Sequence, residues 1–350
     1  MLFFRVLAKL YLFAAMFLLL SPIPAASQSA DDAGAIPRTA EGRPNFQGVW
    51  ANNSATPLER PGQLEGKESF TEEEVASLEA AADRLFGGAD DAGFADGVFQ
   101  AALADVTEVN SVCTGTGNYS SVWMVDRDFD NRTSLITTPS NGRLPGTTEA
   151  AKTRQAAARA QRQEARSQPG GGYNGPEDIP LQSRCISFGM PRVGGLGAGY
   201  NSYYQIFQTG NHLVMLGELI HDARVIAIAD RPHMSSSIRQ WHGDAVAHWD
   251  GDTLVVETTN FDPKSSYRGS SENLHLIERL TLASPAALHY EITVTDPTTW
   301  NAPWTALVIL KKTEDAIYEY ACHEGNIGME GILTGSRTEE AAAQASETRR

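Results

Sequence analysis

The feature that most constrains the fold is a series of short apolar runs that begins near residue 203 and continues almost to the C-terminus. Apolar and polar residues alternate within the runs, and Gly, Asn, Asp or Pro separate them, as in strands joined by tight turns. Asp250-Gly251, between two runs, is a strong hairpin signal. The predicted strands are 203–208, 212–219, 224–229, 245–249, 253–259, 274–282, 288–295, 304–311 and 316–322, with two more at 46–51 and 132–138.

So many neighbouring hairpins favour an antiparallel meander. A long meander leaves open edges unless it closes into a barrel. The sequence therefore predicts a mostly β chain in which residues 28–337 form one antiparallel meander barrel with helical insertions. A two-sheet sandwich is the alternative.

Two helices interrupt the strand pattern. Thr71 and Glu74 form a capping box that starts a helix near 71–87, and a helix rich in Ala, Arg and Gln is predicted near 147–168. Irregular structure is expected in the connection at 88–118 and in a flexible polar tail at 338–350.

The N-terminus has the layout of a secretory signal peptide. Arg5 and Lys9 precede an apolar run at 10–20, and small residues follow at 25–27, so residues 1–27 are predicted to be removed. The alternative is an uncleaved membrane anchor, although a span needs about 20 apolar residues. We expect a periplasmic or secreted protein with no stable membrane insertion after signal removal.

Export permits disulfide formation, and the chain has three cysteines. Cys185 and Cys322 each lie at a predicted strand edge or beside a Gly-rich turn, whereas Cys113 lies in a loop rich in Thr and Gly. The expected disulfide is Cys185–Cys322, and the alternative is three buried free thiols.

The charge excludes one class of partner. Lys and Arg number 28 and Asp and Glu number 43, which gives a formal net charge of −15. Such a chain repels phosphate backbones, so no nucleic-acid partner is expected.

Several motifs carry resemblances to known folds. Gly48-Val49-Trp50 resembles the Gly-x-Trp that opens the first strand of lipocalin-like barrels. More broadly, the chain resembles an exported bacterial family of unassigned activity, which implies a lipocalin-like β-barrel but no particular chemistry. The matching stretches are 132–136, 141–145, 184–185, 189–192, 231–233, 241–244, 249–256, 258–261 and 318–326.

Ionisable residues are dense between residues 231 and 278. Glu278 alternates with four leucines and should face the barrel interior, either paired with a cation or protonated. His233, His242 and His248 are spaced nine and six residues apart, which matches no standard zinc pattern. No metal is predicted, although histidines scattered over barrel strands could still bind one.

These residue types favour acid–base catalysis, since histidine titrates near neutral pH and transfers protons efficiently beside a carboxylate or a tyrosine. His233, His275 or His323 is expected to be the acid–base group. The catalytic candidates are His233, His275, Glu278, Tyr320, His323 and Glu324, and the ligand-binding candidates are Trp241, His242, Tyr290 and Trp304.

The predicted function is therefore a lyase or isomerase that needs no cofactor and acts on a small, largely apolar or aromatic molecule. The alternative is a periplasmic carrier of a hydrophobic ligand. A closed pocket with a histidine about 3 Å from a carboxyl or tyrosine oxygen would favour catalysis, whereas an open apolar mouth would favour carriage.

Overall fold

Ten β-strands form one hydrogen-bonded sheet that closes on itself. The computed structural model describes residues 34–86, 95–107, 127–189, 202–265 and 267–349. The chain from Ile36 onward forms one compact unit. The strands are β1 (Gly48–Ala51), β2 (Ile136–Thr138), β3 (Tyr203–Gln208), β4 (His212–Gly217), β5 (Asp222–Ile228), β6 (Asp244–Asp250), β7 (Thr253–Thr259), β8 (His275–Ser284), β9 (Ala287–Thr295) and β10 (Trp304–Thr313).

The barrel closes through β1. This strand pairs with β3 on one side and with the end of β10, from Lys311 to Thr313, on the other. β2 pairs with the start of the same edge of β10, where Thr138 lies opposite Thr305. Apart from β2, the strands follow one another around the wall in the order of the chain. The predicted barrel is confirmed.

The strand directions depart from the prediction at one place. β5 and β6 run parallel and pair only at Ala227 with Val246 and at Ile228 with Ala247. The connection 229–243 returns the chain along the barrel before β6 begins. The prediction of a wholly antiparallel meander is wrong here. Among the described residues, no strand pairs with 222–226 of β5 on this side.

The predicted strand at 316–322 is also wrong. These residues are irregular, and Tyr318 is 64% exposed. β10 already has β9 on one edge and β1 and β2 on the other. Both edges of β10 are therefore occupied, and the residues that follow it cannot pair with it as a further strand.

The described residues include four helices, which lie outside the wall: α1 (Glu72–Phe86), α2 (Ala95–Thr107), α3 (Glu149–Ser167) and α4 (Ile327–Thr348). The predicted cap of α1 forms, since the amide of Glu74 donates to Thr71 Oγ1 at 3.3 Å. α3 is also capped, although no cap was predicted for it, since the amide of Ala151 donates to Thr148 Oγ1 at 3.0 Å. α2 corrects the expectation of an irregular 88–118. The residues expected to form a tail are helical as far as Thr348.

α1 and α2 enclose a second apolar cluster. The rings of Phe70 and Phe129 lie 6.1 and 6.3 Å from the ring of Phe99, which α2 contributes. Because an amphipathic helix is stabilised mainly by packing its apolar face, this cluster accounts for a helix that the Gly- and Asp-rich flanking sequence obscures.

Large side chains fill the barrel interior. Trp50, Tyr204, Tyr290 and Trp304 are each at most 1% exposed, and aliphatic residues from alternate strand positions surround them. The indole N–H of Trp50 donates to the carbonyl of Phe46 at 2.8 Å. Burial of this apolar surface is the main favourable term in folding.

A disulfide joins Cys185 to Cys322, as predicted, with their Cα atoms 5.8 Å apart. It ties the segment after α3 to the turn that precedes α4. None of the helices in the described ranges combines the length and the apolar character needed to cross a membrane. The predicted signal peptide and Cys113 lie outside the described residues.

Candidate functional site

Glu278 lies in the barrel interior and is fully buried. Arg224 on β5 donates from Nη1 to Glu278 Oε1 at 2.6 Å and from Nη2 to Thr258 Oγ1 at 2.6 Å. The hydroxyl of Tyr290 donates to Glu278 Oε1. Glu278 is thus paired with a cation, which was the first of the two alternatives for it.

The charges of this interior cluster support one another. Burial lowers the pKa of Arg224, but the adjacent Glu278 carboxylate more than offsets this effect, and the net pKa is raised. Burial and the same carboxylate raise the pKa of Tyr290 well above its ordinary value, so its hydroxyl stays protonated and donates. Glu278 and Tyr290, predicted as catalytic and ligand-binding residues, therefore satisfy each other's hydrogen bonds in the interior.

His275 and His233 meet on the outer face of the barrel. Glu257 on β7 lies between them, with Oε1 2.8 Å from His275 Nε2 and Oε2 3.8 Å from His233 Nε2. His233 Nδ1 lies 3.0 Å from Asp244 Oδ2. His275 is on the face opposite Glu278, so these two catalytic candidates do not share a site.

Asp244 anchors this outer cluster. Its carboxylate, which is 3% exposed, accepts from Arg231 Nη2 at 2.7 Å and from the amide of Met234 at 2.8 Å. The hydrogen bond from Arg231 is the largest of the influences that lower the pKa of Asp244 to about 2. The carboxylate is therefore charged throughout the neutral and mildly acidic range.

Replacement of Asp244 by Asn is expected to weaken the acid sensitivity of folding. Because the pKa of Asp244 is lower in the folded state than its ordinary 3.8, ionisation stabilises the fold above about pH 4. That stability, about 2 kcal/mol, is lost as the pH falls towards 2. Urea unfolding of both proteins between about pH 2 and 6 should show that the difference between their free energies of unfolding becomes smaller as the pH falls. A difference in the free energy of unfolding that does not change with pH would contradict the lowered pKa of Asp244.

A pocket opens in the barrel wall where β5 and β6 diverge. Its volume is about 520 Å³, within the range of small-molecule sites. We call it the wall pocket. Its lining includes Arg224, Arg239, Trp241, His242, Gly243 and Asp262. Trp241 and His242, two of the predicted ligand-binding residues, thus both line this pocket.

His242 forms a dyad with Asp222 at the start of β5. His242 Nε2 lies 2.6 Å from Asp222 Oδ1, and the hydroxyl of Ser187 donates to the other carboxylate oxygen at 2.7 Å. His242 Nδ1 is buried and has no hydrogen-bond partner among the described residues. In the neutral tautomer whose Nε2–H donates to Asp222, Nδ1 carries the lone pair that a general base requires.

Gly243 sets the position of this histidine. Its φ of +69° lies in the left-handed region, and a Cβ there would be 2.4 Å from the carbonyl oxygen of Thr259. Only glycine allows the chain to pass so close to the end of β7. The close passage places His242 beside β5 and within reach of Asp222.

Arg239 supplies a fixed positive charge to the wall pocket. Its Nη1 donates to the carbonyl oxygens of Phe261 and Glu272, each at 3.0 Å. These two bonds connect the 229–243 segment to the chain between β7 and β8. Arg239 is itself one of the residues that line the pocket.

The other predicted residues lie apart. Trp304 is in the interior, stacked on Tyr267 with ring centroids 6.5 Å apart. His323 and Glu324 are exposed between β10 and α4, and neither side chain forms a hydrogen bond or ion pair with another described residue. Tyr320 is half-buried there, with its amide 3.2 Å from His221 Nδ1.

Sequence reasoning missed Arg224 of the interior cluster and both Asp222 and Arg239 of the wall pocket. Arg224 alternates with Ile226 and Ile228, which is the same signal that identified Glu278 as an inward-facing residue. Asp222 and Arg239 carry no such signal, because each acts through a contact with a distant segment. Within the described ranges, no three His, Cys, Asp or Glu residues are placed to hold a metal ion.

The chain matches no protein-family model, no curated protein and no solved structure.

Proposed function

We propose that this chain is an exported barrel enzyme that catalyses a lyase or isomerase reaction by acid–base chemistry in the wall pocket. The observation that supports it is the unpartnered Nδ1 of His242, opposite the nitrogen that Asp222 holds at 2.6 Å, in a histidine that lines a pocket of about 520 Å³. The distance from His242 Nε2 to the Asp222 carboxylate supports catalysis, although the pocket opens in the barrel wall and is not the closed pocket of the sequence-based criterion.

In the proposed reaction, His242 Nδ1 accepts a proton from an acidic carbon of the substrate. The electron pair moves into an adjacent carbonyl group or towards a leaving group on the neighbouring carbon. The proton then returns to another carbon in an isomerase, or to the departing group in a lyase. Asp222 stabilises the imidazolium that forms between these steps.

Arg239 and Trp241 have separate roles in this scheme. The fixed guanidinium of Arg239 stabilises negative charge that develops on a substrate oxygen, which is the effect of a preorganised donor. Trp241 offers an aromatic surface to a small, largely apolar molecule. The base is thus His242, in place of His233, His275 or His323, because the latter are on the outer face or exposed.

Export forms part of the proposal, supported by the signal-like N-terminus and by the Cys185–Cys322 disulfide. Carriage of an apolar ligand is the second candidate function, favoured by the barrel architecture. Side chains such as Trp50 and Trp304 already occupy the interior, so a carried ligand would also bind in the wall pocket.

A carbon acid that reports proton removal tests the base. Nitrobenzisoxazole loses one C–H proton to a base, its N–O bond breaks, and a coloured phenolate forms. We expect His242→Ala to lower the protein-catalysed rate by about 100-fold or more, and Asp222→Asn by about tenfold or more. His248→Ala is the matched control, because His248 is exposed on β6, and it should leave the rate unchanged.

Equal rates for the wild type and His242→Ala, including no catalysis by either, would contradict the enzyme proposal. Native mass spectrometry of protein from its own host then tests carriage. A retained apolar molecule that the protein releases chemically unchanged would support the carrier.

A further inference from the structure

A second cavity collects three arginines. It has a volume of about 300 Å³, and its lining includes Arg60, Arg143, Arg268, Pro57, Gly62 and Gln100. We call it the basic cavity. Among the described residues of the lining, Glu59 is the one carboxylate, and it accepts a hydrogen bond from the amide of Leu144 at 3.0 Å. A protein with a net charge of −15 thus concentrates positive charge at one place.

Arg60 is buried without a carboxylate partner. It is 6% exposed, and its Nε donates to Thr133 Oγ1 at 2.9 Å while Nη1 lies 3.4 Å from the carbonyl oxygen of Ser140. No carboxylate in the described part of the chain forms an ion pair with Arg60 or Arg143. Arg224, by contrast, is a buried arginine whose charge is neutralised by Glu278. A buried charge is expensive without an opposite charge, so Arg60 is suited to an anion from solution.

The turn at Gly142 holds Arg60 in position. Gly142 has a φ of +70°, and a Cβ there would lie 3.1 Å from Arg60 Cζ, so the bare backbone packs against the guanidinium. The hydroxyl of Ser134 donates to the carbonyl oxygens of Leu58 and Gly142, at 2.8 and 2.9 Å. These contacts join the two walls of the cavity.

Arg143 follows directly on this turn. Its Nη2 lies 3.7 Å from the position that a Cβ on Gly62 would occupy, so the guanidinium reaches across to the opposite wall. Arg268 enters from the connection between β7 and β8. The motifs at 132–136 and 141–145, which do not line the wall pocket, thus position Arg60 and supply Arg143 at the basic cavity.

We infer that the basic cavity binds a small organic anion through its carboxylate. A planar guanidinium presents paired N–H donors that match the two oxygens of a carboxylate. A volume of about 300 Å³ lies at the lower end of small-molecule sites and leaves room for an organic group beyond the carboxylate itself. This site does not depend on the proposed base His242.

Calorimetric titration with benzoate, succinate and inorganic phosphate, at one fixed low ionic strength, tests the inference. We expect saturable binding of at least one carboxylate at one site per chain, tighter than that of phosphate. Arg143→Gln should weaken this binding at least tenfold. Arg159→Gln, which removes the same charge from the exposed side of α3, should retain the wild-type affinity.

Arg143 is exposed, so its replacement is expected to leave the fold intact; circular dichroism and urea unfolding check this, and Arg268→Gln serves as a second variant. The inference is overturned if neither carboxylate binds saturably, if phosphate binds more tightly than both, or if Arg143→Gln and Arg159→Gln weaken binding equally.

Discussion

Replacement of Glu278 by Gln is expected to lower the free energy of unfolding by about 3–5 kcal/mol. The variant keeps the shape of the side chain but removes the charge that neutralises Arg224, and both side chains are at most 2% exposed. An uncompensated guanidinium would then remain in the apolar interior. Urea unfolding followed by tryptophan fluorescence measures the loss.

Two controls separate this effect from a general loss of packing. Glu257→Gln makes the same chemical change on the outer face of the barrel, at a side chain that is 47% exposed. It should change the free energy of unfolding by less than about 1 kcal/mol. The double variant Arg224→Met with Glu278→Leu removes both charges and should recover most of the loss. A Glu278→Gln protein as stable as the wild type would refute the buried ion pair.

Replacement of both Cys185 and Cys322 by Ser is expected to lower the free energy of unfolding by about 2–5 kcal/mol. The disulfide closes a sequence separation of 137 residues and so removes many conformations from the unfolded chain. Because it lies beside Asn326, which caps α4 and donates to the carbonyl of Ser183 at 2.8 Å, its loss should also free the start of that helix.

Urea unfolding gives the global effect, and hydrogen exchange of the α4 amides gives the local one. A reducing agent serves as the internal control, since it should destabilise the wild type by a similar amount and leave the double variant unchanged. If the double variant unfolds at the same urea concentration as the oxidised wild type, the disulfide does not stabilise this fold.

Most strands, the hairpins and the cap of α1 could be predicted because their causes lie within a few residues. Alternation along β7 and β8 follows from the pleat of a strand, and Thr71 caps α1 by accepting a hydrogen bond from the amide three residues later. Closure into a barrel followed in turn, because consecutive hairpins otherwise leave exposed edges. The Cys185–Cys322 pairing was also predicted from its local surroundings.

The candidate site was predicted only in part, because its contacts join distant segments. Trp241 and His242 line one pocket as ligand-binding candidates. Asp222, the hydrogen-bond partner of His242, lies on β5, whose parallel pairing with β6 no hairpin signal predicts. Glu278 and His275 were grouped as neighbours in sequence, yet the pleat sends them to opposite faces.

Local chemistry thus specified most strands, the turns, the cap of α1 and the inward position of Glu278. The tertiary structure decided which polar groups lie together: Arg224 with Glu278, Asp222 with His242, and three arginines around the basic cavity. The physical reason is that these interactions act only over short distances. A hydrogen bond or ion pair forms only within a few ångströms, and the segments that supply these groups come together only when the barrel closes.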